Sequence, residues 1–231
     1  MIWQDKYGVD LMEKIALIAL NGELNSETKE YKKMFNNIDV SYIAADGGAL
    51  LLESLGITPD IIIGDLDSLD EETLARFKKE NIKIIKYNSE KNETDGELAV
   101  NYCLENNYDK IILSFSLGGR FDQELANIFL LEYAQKHGVT ALIKEGDKEI
   151  GLVNNKKIIQ NKVGWGLSLI PLDNLVKDVS IKGCKYSLDS FDLLRNKTRG
   201  ISNVIKKNKA VISHSNGNLL YILNKNMHSS C

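Results

Sequence analysis

Up to about residue 146, short apolar runs alternate with segments that have the periodicity of amphipathic helices. The apolar runs are rich in Ile, Val and Tyr, as β-strands usually are, and they span residues 14–20, 40–45, 60–64, 82–87, 110–116 and 139–144. Strands that are apolar along their whole length are typical of sheets buried on both faces. The alternation therefore predicts an α/β fold with a mostly parallel sheet flanked by helices.

The last helical segment of this part reads FDQELANIFLLEYAQKHG, at residues 121–138. Four of its apolar residues, Leu125, Ala126, Ile128 and Phe129, form a stripe at helical spacing. Because the apolar stripe of a helix normally faces the core, we expect these four side chains to pack against the sheet.

The character of the sequence changes near residue 146. Beyond that point short β-type runs are separated by turn signals such as VNNKK, PLDN and SNGN, and no helical pattern is found. We therefore predict an α/β domain over 12–146, followed by an all-β, sandwich-like domain over 147–231. Met12 opens MEKIALIALNG in the manner of a natural start, so residues 1–11 are expected to be an N-terminal extension.

Charge, hydropathy and cysteine usage narrow the class of protein. The net charge is −3, whereas general nucleic-acid binders usually have a basic excess, so no nucleic-acid partner is expected. The apolar run at 15–20 is too short to cross a membrane and lacks a signal-peptide cleavage pattern, so no membrane partner is expected either. Cys103, Cys184 and Cys231 match neither a disulfide framework nor a zinc motif, which favours a reducing, cytoplasmic location.

Polar and glycine residues follow the predicted strands at the points where those strands end. They are Asp46, Asp65, Asp67, Thr94, Asp95, Gly118, Gly119, Arg120 and Asp122. The carboxyl ends of parallel strands meet at one edge of an open α/β sheet, and ligands bind at that edge. We therefore expect these residues to line a single crevice.

Some of these residues have a second interpretation as helix caps. Ser68 and Thr94 each precede a glutamate by three residues, which is the spacing of a capping box, and Asp122 could cap the helix that follows it. The two interpretations are compatible, because a capping residue can also orient a loop. Capping leaves Asp65 unexplained, however, and a turn would account at best for Asp67.

A divalent metal ion would explain why Asp65 and Asp67 directly follow a buried strand with no basic neighbour. Mg²⁺ prefers one or two carboxylates, retains waters and bridges phosphate oxygens. Two acids separated by one residue across a tight turn can converge on one ion. No His or Cys lies near them in the sequence, which argues against zinc.

Residues suited to phosphate groups accompany these acids. The glycine pairs Gly47–Gly48 and Gly118–Gly119 would let backbone N–H groups approach phosphate oxygens or allow tight turns. Arg120 could clamp a phosphate with two hydrogen bonds, and Lys91 could serve as a point charge or remain a solvated loop lysine. Neither GxxxxGK followed by Ser or Thr nor GxGxxG occurs, so any phosphate site has a different arrangement.

Seven segments occur in an order that is far more specific than any one of them. They are ADGGA (45–49), GxxPDxxIGDLDS (56–68), KNETD (91–95), LGGRFDQ (117–123), GWGLSLIPL (164–172), GCKYSLDSF (183–191) and GISN (200–203). In this order, and over about residues 12–223, they resemble the thiamine pyrophosphokinase family.

The resemblance implies a Mg²⁺-dependent homodimer that transfers a pyrophosphoryl group from ATP to the hydroxyl of thiamine, giving thiamine diphosphate and AMP. The implied metal-binding acids are Asp46, Asp65, Asp67 and Asp95, and the implied catalytic residues are Asp65, Asp67, Asp95 and Arg120. The implied nucleotide and phosphate site contains Asp46, Gly47, Gly48, Ser68, Lys91, Thr94, Gly119, Arg120, Asp122 and Gln123. Ser202 and Asn203 are implied to line the thiamine site.

The sequence departs from the family pattern at Gln123, where a His is usual after GGRxD. Gln cannot titrate, so a proton-transfer role is not expected there, and either Asp67 or Asp95 could accept the proton of the thiamine hydroxyl. For the thiamine rings, Trp165 and Tyr186 are candidate aromatic partners, although such residues more often belong to the core or to an interface.

Two other functions are compatible with the same residues. One is a different Mg²⁺-dependent phosphotransferase on the same scaffold, acting on another alcohol. The other is a non-catalytic sensor that binds thiamine or a nucleotide without turnover.

Overall fold

A computed structural model describes residues 13–24, 28–35 and 39–225 of the chain. These residues divide into two compact units, and the boundary falls between Gly146 and Asp147. The expected N-terminal extension, residues 1–11, lies outside the described residues.

The first unit alternates strands and helices, as the sequence predicts. Its strands are β1 (Ile15–Ala19), β2 (Ser41–Ala45), β3 (Ile61–Gly64), β4 (Lys83–Lys86), β5 (Lys110–Ser114) and β6 (Thr140–Glu145). Its helices are α1 (Thr28–Phe35), α2 (Gly48–Ser54), α3 (Glu71–Lys79), α4 (Asp95–Glu105) and α5 (Phe121–Lys136). The strands pair in the order β6-β5-β1-β2-β3-β4, and all of these pairs are parallel.

Both faces of this parallel sheet are buried. Leu17 of β1 and Ile62 of β3 belong to a cluster that also contains Phe35 of α1 and Phe77 of α3. Ile18 points to the opposite face, because successive residues of a strand alternate sides, and it is also fully buried. Helices therefore cover the sheet on both sides, which explains why its strands lack the polar alternation of half-exposed strands.

The starts of three helices test the capping predictions. The prediction for Thr94 is confirmed, because its hydroxyl accepts a hydrogen bond from the N–H of Glu97 at 3.1 Å at the start of α4. The prediction for Ser68 is wrong. The turn after β3 runs on to Asp70, and the Asp70 side chain caps α3 by accepting from the N–H of Thr73 at 2.7 Å.

The prediction that Asp122 caps α5 is also wrong, because the N-cap position is Arg120 and Asp122 lies within the first turn. The apolar stripe predicted for α5 is wrong as well. Leu125 is 40% exposed and Phe129 is 43% exposed. Ala126 and Ile128 are only partly buried. The fully buried side chains of α5 come later in the helix and are Leu130, Leu131 and Ala134.

The second unit consists of antiparallel strands. They are β7 (Lys148–Leu152), β8 (Lys156–Gln160), β9 (Gly166–Pro171), β10 (Leu175–Lys182), β11 (Leu188–Leu194), β12 (Asn203–Val204), β13 (Lys209–Ser213) and β14 (Leu219–Asn224). Two sheets form, with the orders β12-β9-β14-β7 and β11-β10-β13-β8. One apolar cluster contains Leu169 and Tyr221 from the first sheet and Val179 and Ile212 from the second. The two sheets therefore pack face to face, which confirms the predicted β-sandwich.

None of the described helices has the length and apolar character that crossing a membrane requires.

Candidate active site

A crevice of about 390 Å³ lies at the carboxyl ends of the parallel strands. Its lining includes residues that follow β1, β2, β3 and β5, together with the first turns of α4 and α5. The predicted site residues that line it are Asp46, Asp65, Asp67, Ser68, Lys91, Thr94, Asp95, Gly119, Arg120 and Gln123. Predicted site residues up to 77 positions apart in the sequence, from Asp46 to Gln123, thus share one crevice, as expected for this edge of an α/β sheet.

The first glycine pair serves close packing of the backbone. A Cβ atom on Gly48 would clash with the carbonyl oxygen of Ala19 in β1, and one on Gly47 would clash with the side chain of Asn21. Neither glycine is among the residues that line the crevice. Their small size lets α2 begin directly against the end of β1, and this packing fixes the position of Asp46 just before the helix.

Three carboxylates form the acidic centre of the crevice. One oxygen from each of Asp46, Asp65 and Asp67 lies within 4.8 Å of the other two. Asp46 has a φ of +48°, and Leu66 between the other two acids has a φ of +68°. Such positive values are uncommon for residues other than glycine. The turn at Leu66 lets the N–H of Asp67 donate to Oδ1 of Asp65 at 3.2 Å, so that both carboxylates face the same side.

This acidic centre fits a divalent cation. Asp46 is 4% exposed, and its buried Oδ1 has no hydrogen-bond partner among the described residues. Burying a carboxylate oxygen without a partner is costly, and a cation beside Asp65 and Asp67 would remove that cost. A donor set made only of oxygens suits Mg²⁺ or Ca²⁺ and does not suit zinc.

Asp95 lies outside this group of three, and it forms an ion pair with Lys91. Burial raises the pKa of the Asp95 carboxyl above its usual range, the Lys91 ammonium opposes that increase, and the charges of Asp65 and Asp46 add to it. Gly64 has a φ of +153°, and a Cβ there would lie 3.1 Å from Oδ1 of Asp95. A glycine at this position leaves room for the carboxylate of Asp95 beside the end of β3.

Arg120 and Asp122 form a second ion pair at the rim of the crevice. The Arg120 guanidinium donates to Asp122 through Nε at 3.2 Å and through a terminal nitrogen at 2.6 Å. The side chains are 71% and 67% exposed, so the pair adds little to stability. The Arg120 guanidinium holds the pKa of the Asp122 carboxyl below its usual range. Arg120 lines the crevice and Asp122 does not, so Asp122 orients the arginine.

Sequence reasoning missed several residues that line the crevice. Asn21 donates from Nδ2 to the hydroxyl of Ser68 at 3.2 Å. It comes two residues after β1, so the strand-end rule could have found it. Ser116, Glu124 and Asn127 also line the crevice. Glu124 and Asn127 lie inside α5, where no strand-end signal marks them.

Ser202 and Asn203 belong to the second unit. The Asn203 side chain is buried and bonded to the backbone of Tyr186, accepting from its N–H at 3.0 Å and donating to its carbonyl at 2.6 Å. Asn203 and Tyr186 line a groove of about 610 Å³. Tyr186 is 57% exposed, whereas Trp165 packs against the sandwich core under the Lys162 ammonium. Ser202 has a φ of +58°, and its N–H donates to Ser168 at 3.1 Å.

Fold and crevice together define a class of protein: an α/β unit with a carboxylate site suited to a divalent cation, followed by a β-sandwich. Comparison with known families identifies the member of that class. Residues 31–143 match the thiamin pyrophosphokinase catalytic domain, and residues 156–219 match the thiamin pyrophosphokinase vitamin B1 binding domain. The chain therefore belongs to the thiamine pyrophosphokinase family of enzymes.

Individual relatives agree with this assignment. The chain is 29% identical to thiamine pyrophosphokinase of Bacillus subtilis (strain 168) over 191 residues, which cover 78% of this chain and 86% of the relative. It is 25% identical to thiamine pyrophosphokinase 3 of Oryza sativa subsp. japonica, over 74% of this chain and 68% of the relative. The crystal structure of the Bacillus subtilis protein superposes with a TM-score of 0.81 at 25% identity, covering 91% of this chain and 99% of that chain.

A more distant structure supports the fold. Yeast thiamin pyrophosphokinase superposes with a TM-score of 0.73 at 20% identity, and the match covers 92% of this chain and 86% of that chain.

Proposed function

We propose that the protein transfers a pyrophosphoryl group from ATP to the hydroxyl of thiamine in a Mg²⁺-dependent reaction, giving thiamine diphosphate and AMP. The observation that carries this proposal is the group of three carboxylates, Asp46, Asp65 and Asp67, within the family's catalytic domain. The orphaned oxygen of Asp46 supports it further, because the fold buries this oxygen without supplying a partner among the described residues.

Asp46, Asp65 and Asp67 would hold the Mg²⁺ ion, which when bound neutralises negative charge on the phosphate oxygens of ATP. Asp95 lies outside that group and would join the metal site as a fourth acid or act on the substrate directly. We favour the second role. Because Asp95 is not one of the three carboxylates that would hold the cation, it is free to accept the proton that the thiamine hydroxyl loses.

The remaining crevice residues would bind and orient the triphosphate. Arg120, held by Asp122, would donate to phosphate oxygens, and Lys91 would supply a second positive charge. Gly119 would contribute its backbone N–H as a donor, while Ser68, Thr94 and Gln123 would add neutral polar contacts. Catalysis of phosphoryl-type transfer depends mainly on such alignment and charge neutralisation.

Thiamine carries a fixed positive charge on its thiazolium ring, so an acidic crevice would attract it. In the second unit, the exposed ring of Tyr186 is a suitable surface for an aromatic cation. Asn203 would hold Tyr186 in place through its two hydrogen bonds to the Tyr186 backbone. Ser202, the residue before Asn203, would also line the thiamine site. We further propose that the protein acts as a homodimer in the cytoplasm. Light scattering at the concentration used in the activity assay measures the oligomeric state.

The proposal is tested by incubating the protein with ATP and thiamine, with and without Mg²⁺, and quantifying thiamine diphosphate by chromatography. Formation of thiamine diphosphate only with Mg²⁺ is the expected result. Turnover of another alcohol in preference to thiamine would indicate a different phosphotransferase. Tight thiamine or ATP binding by calorimetry without any turnover would indicate a sensor.

A further inference from the structure

A buried carboxylate, Glu145, lies behind one wall of the crevice, at the last position of β6. It is 0% exposed. Its Oε1 accepts hydrogen bonds from the N–H of Ser116 at 2.6 Å and from the hydroxyl of Ser116 at 2.9 Å. Its Oε2 accepts from the hydroxyl of Tyr31 in α1 at 2.6 Å. Burial raises the pKa of Glu145, and the hydrogen bonds from Tyr31 and Ser116 oppose that increase.

Ser116 connects this carboxylate to the crevice. It is 2% exposed, yet it is one of the residues that line the crevice. Its carbonyl oxygen accepts a hydrogen bond from Nδ2 of Asn127 in α5 at 3.0 Å, and Asn127 also lines the crevice. Ser116 is thus held from β6 through Glu145 and from α5 through Asn127.

The residue before Ser116 is in a conformation that needs such support. Phe115 has a φ of +55°, which is a genuine outlier for a bulky residue and persists only where the surroundings impose it. Its ring stacks on Tyr31 with the centroids 4.9 Å apart. Its carbonyl oxygen accepts from the N–H of Gly22 at 2.8 Å. Tyr31 therefore contacts both the strained residue and the carboxylate that anchors its neighbour.

We propose that Glu145 is a positioning residue for one wall of the crevice: through Ser116 it fixes the loop from Phe115 to Arg120, and so it sets where Gly119 and Arg120 meet the nucleotide. The inference rests on the proposed function, because it takes this wall to bind the phosphates of ATP. Two of the three hydrogen bonds that Glu145 accepts come from Ser116, which lines the crevice, and these two bonds link the buried carboxylate to the site.

Two variants and a matched control separate positioning from simple stabilisation. Tyr31→Phe, the control, removes one hydroxyl and leaves both bonds between Glu145 and Ser116 in place. The double variant Tyr31→Phe with Glu145→Leu removes those two bonds as well. It replaces the Tyr31–Glu145 pair by apolar groups but leaves the buried N–H and hydroxyl of Ser116 without their acceptor, so the urea midpoint should fall as well. Glu145→Gln keeps an acceptor for Ser116 without the charge.

The readouts are the dissociation constant of a non-hydrolysable ATP analogue with Mg²⁺ by calorimetry, the KM values for ATP and thiamine, and the urea midpoint. We expect Tyr31→Phe and Glu145→Gln to bind the analogue within about threefold of the wild type, and the double variant to bind it about ten- to a hundredfold more weakly, because small misplacements of binding groups have effects of this size. The KM for thiamine should be unchanged in all three.

Equal analogue affinity in the double variant and in Tyr31→Phe would overturn the inference, whatever their stabilities. If the double variant does not fold, Glu145→Asp decides, because a side chain shorter by one methylene draws the carboxylate back from Ser116 and lengthens both bonds to it. Weaker analogue binding by Glu145→Asp supports the inference, and unchanged binding contradicts it. Absence of binding by the wild type would overturn the proposed function and this inference together, whereas normal binding by all variants would overturn this inference alone.

Discussion

A substitution that removes the charge of Asp65 should reduce the activity of the enzyme without destabilising its fold. In Asp65→Asn, the amide oxygen can still accept from the N–H of Asp67, so the turn is kept. The cluster of three carboxylates loses a charge that the cation needs. We expect kcat/KM for thiamine diphosphate formation to fall by at least about a hundredfold, since even indirect ligand partners have effects approaching this size.

The free energy of unfolding of Asp65→Asn, measured in urea, should stay within about 0.5 kcal/mol of the wild type, as is usual for substitutions that break no buried contact. Asp70→Asn is the matched control. Asn is as good an N-cap as Asp, and Asp70 is not among the residues that line the crevice. Near-normal activity in Asp65→Asn would remove this carboxylate from the metal site.

The residues of the site were predictable where they follow strands and unpredictable elsewhere. Asp46 and Asp65 stand at strand ends, and the topology of a parallel sheet was enough to bring them together. The separation of Asp95 from the group of three depends on the positive φ at Leu66 and on the pairing with Lys91, which no sequence pattern encodes. Glu145 lies in the charged run KEGDKE, which resembles a solvated turn until the fold buries it.

Among the secondary-structure elements, α3 and α4 provide a paired test of capping. Thr94→Ala removes the side-chain acceptor that caps α4, so we expect the free energy of unfolding to fall by about 1 kcal/mol. Ser68→Ala removes no cap, because Asp70 caps α3, and the loss should stay within about 0.5 kcal/mol. Urea denaturation of both variants measures the difference. Equal losses would show that the cap at Thr94 does not contribute to stability.

Helix α5 shows why periodicity alone placed the wrong face inward. Its N-terminal half carries Gln123 and Asn127 on the side that lines the crevice, and Asn127 bonds there to the backbone of Ser116. Leu125 and Phe129 consequently turn toward solvent within the first unit. A count of apolar residues identifies a helix, but it cannot recognise a polar face that points inward at a site.

For the molecule as a whole, the fold class followed from two patterns, the apolar strands of the first unit and the turn-separated strands of the second. The order of the strands did not follow from them, because local patterns carry no information on which strands become neighbours. That β1 lies between β2 and β5 became known only from the structure.

The free energy of unfolding of the whole molecule should also depend on whether Glu145 is protonated. Burial raises the pKa of the Glu145 carboxyl in the folded protein, so the folded protein binds the proton more tightly than the unfolded chain does. The resulting contribution to the free energy of unfolding is fully present at pH values below the pKa that the carboxyl has in the unfolded chain. That contribution is lost as the pH rises through the folded pKa. In Glu145→Gln this loss cannot occur, so the variant should become more stable relative to the wild type as the pH rises above about 4.5, the ordinary pKa of a glutamate.

Urea denaturation of both proteins at several pH values measures this difference, because titrations at other residues cancel between them. A stability difference that does not change with pH would show that Glu145 titrates alike in the folded and unfolded states.

The identity of the nucleotide product tests the proposed reaction most directly. With ATP, thiamine and Mg²⁺, transfer of a pyrophosphoryl group must release AMP in an amount equal to the thiamine diphosphate formed. Both products should form at least about a hundredfold more slowly in Asp65→Asn. Chromatography of the reaction mixture measures both products at once. Equal amounts of AMP and thiamine diphosphate are the predicted result, and release of ADP with thiamine monophosphate would contradict it.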